Sequence, residues 1–361
     1  MTTSSNTPAS SSLPELPPDT VGTPAFVIYE DRVLHNLKQT VAAAGGRDRL
    51  MPHLKTHRAP WIVRLLLQQG ITSFKAATVA EVEMALEAGA QNVFWAYPTA
   101  SRNNIGRFIA CARKWPNSKL MGAVDTAEAL AMWQQQLTPQ DANVRLLVDL
   151  DPGLRRTGVP MNEAALSLAR AAAKAGRFDG WHIYDGHVKG TRDERQAQVN
   201  EIAGKVRGLM DALRAEGIES IAVAGGSYTF DLWPSDVARH VSPGSWTYSS
   251  AQHDIELAHL GWVPAAFVLA TVASTRGGTV TFDAGCKAIS PDKPLASRFR
   301  WDGEIILMNE EHTVARGSGA VGERVLLMPQ HACTTAYLYD TALVRTADGD
   351  WETRPQMGNR R

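Results

Sequence analysis

The chain has 361 residues, enough for one large domain or two. Its 37 Lys and Arg balance 37 Asp and Glu, so it lacks the basic surplus that holds nucleic acid. No apolar run reaches the length of a membrane-spanning helix. Three widely spaced cysteines, Cys111, Cys286 and Cys333, argue against a disulfide framework and point to a reducing compartment, the cytoplasm.

Residues 1–22 open on Ser, Thr and Pro, without the charged start and apolar centre of a secretory signal, and read as a disordered leader. From residue 25 short apolar runs alternate with helical patterns. The run 25–29 predicts a strand and 31–44 a helix. Strand candidates then recur at 49–55, 73–77, 92–97, 119–124, 143–150, 180–186, 220–226 and 240–248. Helical periodicity fills most of the gaps, at 60–69, 80–88, 103–114, 126–136, 162–175 and 192–216. The run 144–148 is apolar on both faces, as a parallel strand covered by helices must be. Eight such units predict an α/β fold, a (β/α)8 TIM barrel over 31–250, with a doubly wound open sheet as the structural rival. Beyond 260 the texture changes to short β-rich runs at 267–273, 279–282, 304–308, 324–328 and 342–345, punctuated by turn signals. These predict a second, barrel-like C-terminal β domain made of 23–30 and 251–361.

Three clusters carry chemistry. The first is Met51-Pro-His53-Leu-Lys55-Thr-His57-Arg58, at the end of the first barrel strand, where barrel enzymes place catalytic groups. On a strand His53, Lys55 and His57 share a face. A lysine aimed into a barrel mouth reads as an imine-forming amine with a histidine beside it as proton carrier; the other reading is a solvated strand end. The second is Gly225-Gly226-Ser227 with Gly244-Ser245, after strands seven and eight. Bare backbone N–H groups there suit phosphate, although most Gly-Gly pairs are turns. The third is His331-Ala-Cys333. On an extended segment its imidazole and thiolate project to one side, a soft pair that suits a divalent metal and leaves positions open; a buried Cys beside an unrelated His is the alternative. Arg156 follows the fifth strand and Tyr184 lies at the end of the sixth, where each can line the mouth.

In this order and combination these residues resemble the pyridoxal-phosphate lyases that include D-threonine aldolase and eukaryotic-type D-serine dehydratase, which have the alanine racemase-like barrel fold. The resemblance spans 23–344. Pro52-His-x-Lys55-x-His57 is similar to the family's cofactor-lysine motif, which implies that Lys55 carries pyridoxal 5'-phosphate. Arg156-x-Gly-Val159 resembles the segment whose Arg meets the cofactor's phenolic oxygen, and the two glycine loops resemble those that hold its phosphate. Asp283-Ala-Gly-x-Lys287-x-x-Ser290 and Glu311-His312 match segments of the second domain, and His331-x-Cys333 matches the metal pair, for zinc first, with manganese or magnesium as alternatives.

The resemblance implies a small D-amino acid as substrate, a homodimer, and no nucleic-acid or membrane partner. His-x-Cys and Asp185-Gly186-His187 resemble the dehydratases more than the aldolases. Thr334-Thr335, Tyr228 and Phe230 depart from the dehydratase pattern. A metal-dependent D-serine dehydratase-like ammonia-lyase, on D-serine or 3-hydroxy-D-aspartate, is therefore the first expectation. Retro-aldol cleavage to glycine and an aldehyde is the second. A metal-free racemase has no use for His331-x-Cys333, and a non-catalytic carrier of the cofactor has none for the β-rich region.

Overall fold

A computed structural model describes residues 13–361. By their contacts these form two units. One holds 41–55, 59–244 and 361; the other holds 13–40, 56–58 and 245–360.

The first unit is built on a parallel sheet in the order Ser73–Ala76, Asn92–Trp95, Lys119–Val124, Val144–Asp151, Phe178–Ile183, Ile221–Ala224, His240–Val241, with the short Val159–Pro160 branching from Val144–Asp151. Single parallel bridges, Leu50 to Val241 and His53 to Lys75, join residues 50–53 to the last and first of these strands. They are reinforced by Met51 N–H to Val241 O at 2.9 Å, His53 N–H to Pro243 O at 3.1 Å and Lys75 N–H to Pro52 O at 3.0 Å. Residues 50–53 thus serve as the eighth stave, and the (β/α)8 expectation holds. Its interior is filled by Met51, Phe94, Ala96, Met121, Ala123, Leu147 and Val223, inward-facing side chains of successive staves. The helices between staves start where polar caps allow. Thr78, Ser101, Thr126 and Asn162 each accept a backbone N–H two or three residues on, and Thr191 forms a capping box with Glu194.

Two strand boundaries differ from the sequence reading. The candidate 49–55 is not a continuous strand: after His53 the chain turns into a 3-10 helix, Leu54–Thr56, so His53, Lys55 and His57 do not share one face by alternation. The candidate 240–248 keeps only His240–Val241 as strand, because Pro243-Gly244 interrupts the ladder and Ser245–Thr247 is a 3-10 turn.

The second unit is organised by the long strand Ala266–Arg276. It pairs antiparallel with Ala25–Tyr29, Arg324–Pro329 and Thr279–Phe282, and a register shift between Val272 and Ser274 marks the pairing with Thr279–Phe282. Ala25–Tyr29 in turn pairs with Thr341–Arg345, and that with Trp351–Pro355. Thr279–Phe282 leads to Thr313–Arg316 and Glu304–Met308. Val27, Tyr29, Phe267, Leu269, Leu326 and Met328 form a core in this unit.

The leader expected over 1–22 lies outside the described residues at 1–12. At 15–21 the stretch is held by hydrogen bonds. Arg324 donates to Pro17 O at 3.0 Å and Val21 O at 3.3 Å and pairs with Asp19, while Tyr29 OH donates to Glu15 O at 2.5 Å. Captured carbonyls order this stretch together with buried Pro17 and with Val21, which packs against the core of this unit.

Candidate active site

At the carboxyl ends of the barrel strands a small, narrow cavity is lined by His53, Lys55, Lys75, Ala96, Tyr97, Arg156, His182 and Tyr184. Strand register explains the grouping. Lys75 lies opposite His53 on one side and Phe94 on the other, and Asp149 lies opposite His182 on neighbouring strands. Lys75, His182 and Asp149 are all buried.

They form a chain of hydrogen bonds. His182 Nδ1 is 2.6 Å from Asp149 Oδ1, and Lys75 Nζ is 2.7 Å from His182 Nε2. Thr157 Oγ1 donates to the other Asp149 oxygen at 2.8 Å. Burial pulls His182 down to about 4, with the charge of Lys75 adding to the effect, so the ring is neutral. With Nδ1–H donated to the carboxylate, Nε2 is left to accept from Lys75. Burial, then the charge of Lys55, pulls Lys75 itself down to about 7. His53 is driven well below its ordinary value by burial and the charge of Lys55, and its Nε2 is buried with no hydrogen-bond partner among the described residues.

Tyr184 is central to the cavity. Lys55 Nζ lies 5.8 Å, Lys75 Nζ 6.0 Å and the Arg156 guanidinium carbon 4.7 Å from its ring centroid. The Arg156 guanidinium carbon also lies 5.3 Å from the Tyr97 ring centroid. The two glycine loops meet: Gly244 N–H donates to Ser227 Oγ at 3.2 Å, and Gly226 N–H to Thr229 Oγ1 at 3.1 Å. Gly225 has φ of 72°, which favours glycine, and a Cβ on Gly226 would lie 3.1 Å from the Tyr184 ring, close enough to push that ring aside. Behind the loop, buried Asp185 accepts from Thr229 Oγ1 and Trp233 Nε1, each at 2.8 Å.

The structure therefore gathers Lys55, His53, Arg156 and Tyr184 around one cavity and joins Gly226, Ser227 and Gly244. Ser245 begins the 3-10 turn Ser245–Thr247. His57 is buried but does not line the cavity. Lys75, Asp149 and His182 escaped sequence reasoning. Their one signal was a lysine between Phe74 and Ala76 inside the strand candidate 73–77.

In the β unit His331 and Cys333 are not on an extended segment. His331 is the N-cap of the short helix Ala332–Ala336, in which Cys333 is the second residue. Asp292 Oδ2 lies 2.5 Å from His331 Nδ1, and Cys333 Sγ lies 3.4 Å from Thr56 Oγ1. Burial opposes charge on His331, but hydrogen bonds to Cys333 and Asp292 outweigh it and raise the imidazole to about 9. Among the described residues no group of three or more His, Cys, Asp or Glu is arranged around a common metal position.

The family model for the alanine racemase N-terminal domain matches residues 28–252, and that for a putative serine dehydratase domain matches 265–345. The D-threonine aldolase of Arthrobacter sp is 29% identical over 346 residues, 91% of this chain and 90% of that protein. The D-threo-3-hydroxyaspartate dehydratase of Delftia sp. (strain HT23) is 27% identical over 379 residues, 92% and 97% of the two chains. The crystal structure of D-threonine aldolase from Filomicrobium marinum superposes with a TM-score of 0.86 at 25% identity, covering 94% of this chain and 96% of that one. The chain belongs to the alanine racemase N-terminal domain family, and with the serine dehydratase domain following it in sequence it is a lyase.

Proposed function

We propose that this lyase uses pyridoxal 5'-phosphate and a divalent metal to act on D-β-hydroxy-α-amino acids, and that its reaction is a D-serine dehydratase-type elimination of water from D-serine or 3-hydroxy-D-aspartate, followed by hydrolysis of the resulting imine to a keto acid and ammonia. The family implies the cofactor. The observation that carries the reading is the Lys55 amine in a cavity it shares with Arg156, Tyr184 and the unpartnered His53 Nε2. That donor set fits an aldehyde-bearing, anionic aromatic ring. Lys55 would hold it, Arg156 would meet its phenolic oxygen, Tyr184 would pack on it, and the loops Gly225–Ser227 and Gly244–Ser245 would take its phosphate.

Bound there, the cofactor stabilises negative charge at Cα. The residues do the rest. Lys55 is the base at the Cα proton and His53 or His57 the group that moves protons beside it. His331 and Cys333 offer an imidazole and a thiol to a soft divalent ion, zinc in preference to manganese or magnesium, as Lewis acid toward the β-hydroxyl. Asp292 holds the His331 ring by Nδ1, which leaves Nε2 for the ion. A cysteine-to-alanine variant of a D-threo-3-hydroxyaspartate dehydratase is described in a metal-free form. No disulfide joins the three cysteines, which suits a reducing cytoplasm, and a homodimer is the expected assembly.

Aldol cleavage is the second reading, favoured by the similarity to the Arthrobacter and Filomicrobium aldolases. There a base removes the hydroxyl proton, the Cα–Cβ bond breaks, and glycine and an aldehyde leave. Product analysis on D-serine, D-threonine and D-threo-3-hydroxyaspartate separates the two: keto acid plus ammonia supports dehydration, glycine overturns it in favour of cleavage. Borohydride reduction followed by peptide mapping should place the cofactor on Lys55; an unmodified Lys55 overturns both.

A further inference from the structure

Asp149, His182 and Lys75 stand in the order of a catalytic triad with an amine at its head. Thr157 supports one oxygen of Asp149, the other oxygen holds the His182 ring at Nδ1, and Nε2 of that ring receives Lys75 Nζ. The three side chains come from three strands, and Lys75, Asp149 and His182 are 2%, 4% and 1% exposed. A polar chain this deep is costly to bury, and the core does not need it: the neighbouring stave fills the position opposite Lys75 with Phe94. Lys75 and His182 line the cavity, while Asp149 stays behind the lining.

We propose that Lys75 is a second proton carrier of this cavity: it takes the proton that the ammonium of an amino-acid substrate must shed before its nitrogen can displace Lys55, and His182 and Asp149 are the positioning residues that aim its amine.

This rests on Lys55 carrying the cofactor. An amino acid arrives with its nitrogen protonated, and an ammonium has no electron pair to attack with. One N–H bond of the substrate breaks and one forms on Lys75 Nζ; the electron pair freed on the substrate nitrogen makes the bond to the carbon that Lys55 held. Lys75 gives the proton up to the nitrogen of the departing product, which restores its amine. Few of the lining side chains can do this near neutral pH. Arg156 does not release its proton. Burial holds His53 and His182 too low, the latter at about 4. Lys75 lies between these extremes. Burial first, then the charges of Lys55 and Arg156, draw it down, while Asp149 and Asp185 hold it up, and the balance is about 7. His182 can serve as its acceptor in both protonation states, because Nδ1–H is committed to Asp149. The ring centroids of Phe94 and Tyr184, each 6.0 Å from Nζ, flank the amine, and His53 faces it across a single bridge.

Two measurements decide this. The full chain, labelled with [ε-13C]lysine and freed of bound aldehyde with hydroxylamine, is titrated by NMR; the Lys75 signal is the one that Lys75→Arg removes. It should titrate at about 7. Asp149→Asn should lower that midpoint by about one pH unit. A midpoint near the ordinary lysine value of about 10.4 overturns the proposal. The loaded chain is then mixed rapidly with D-serine, or with D-threonine if product analysis finds cleavage, and the change in the cofactor's absorbance gives the rate at which the substrate nitrogen displaces Lys55. In the wild-type chain this rate should level off above about pH 7.5. Lys75→Met and Lys75→Arg should both be about 100-fold slower at about pH 7.5 and should keep climbing to about pH 9, as more of the substrate is already unprotonated. Arginine keeps the cation and a donor toward His182 but cannot accept a proton, so a wild-type rate in either variant overturns the proposal. If Lys75→Met does not fold, Lys75→Arg and the wild-type curves decide. An unmodified Lys55 after borohydride reduction would instead overturn the cofactor reading beneath it, whatever the NMR titration gives.

Discussion

Asp292 Oδ2 sits 2.5 Å from Nδ1 of His331, on the side of the ring away from any ligand that Nε2 would take. A carboxylate in that position fixes the tautomer and the ring plane and makes the other nitrogen a better donor. Asp292→Asn should therefore weaken zinc retention about 10- to 100-fold while leaving the fold intact. Competition against a chromogenic chelator reads this directly, and unchanged retention would remove Asp292 from the metal's support.

Acid should destabilise the protein in a defined window. Burial holds His182, His240 and His253 each at about 4, against 6.5 in an unfolded chain. Between those values the unfolded chain binds protons that the folded one refuses, so stability falls as pH drops from about 6.5 to 4 and the whole penalty is present below 4. Each pH unit of that window is worth about 1.4 kcal/mol per imidazole, so the three together amount to several kcal/mol. Urea midpoints at about pH 7, 5.5 and 4.5 should decrease in that order; equal midpoints would mean that these imidazoles reach solvent.

Gly225→Ala and Gly226→Ala should fail differently. Gly225 has φ of 72° and a Cβ there would come 3.0 Å from the Trp233 ring, so alanine should cost about 1–2 kcal/mol of stability. At Gly226 the obstacle is the Tyr184 ring at 3.1 Å, a cavity-lining group. Its replacement should leave the melting temperature nearly unchanged and weaken pyridoxal 5'-phosphate binding, followed by fluorescence titration.

Trp233→Phe should cost about 1–3 kcal/mol, because it leaves one oxygen of buried Asp185 without its 2.8 Å donor. The double variant with Asp185→Leu should recover part of that loss, since both partners are then apolar. Thermal melts of the singles and the double test this, and strict additivity would show that the two groups act independently.

The barrel was legible because a parallel strand such as 144–148 is apolar on both faces and helical periodicity fills most of the gaps between strands. Lys55, Arg156 and the glycine loops were legible because each lies just past a strand end. Spacing misled where a two-residue repeat imitated a strand, at His53-x-Lys55-x-His57, and where a helix start imitated an extended pair, at His331-x-Cys333. Lys75 and His182 are separated by 107 residues and meet only through strand register, which local periodicity does not contain.

The stave formed by residues 50–53 is held by two single bridges rather than by a ladder. A ring of strands breathes first at its thinnest joint, and here that joint carries His53 and leads straight into Lys55. Amide protons of Met51, His53 and Lys75 should thus exchange with deuterium well before those of Val144–Asp151. Slow opening of this seam would give a small aldehyde a way to the amine without disturbing the opposite wall.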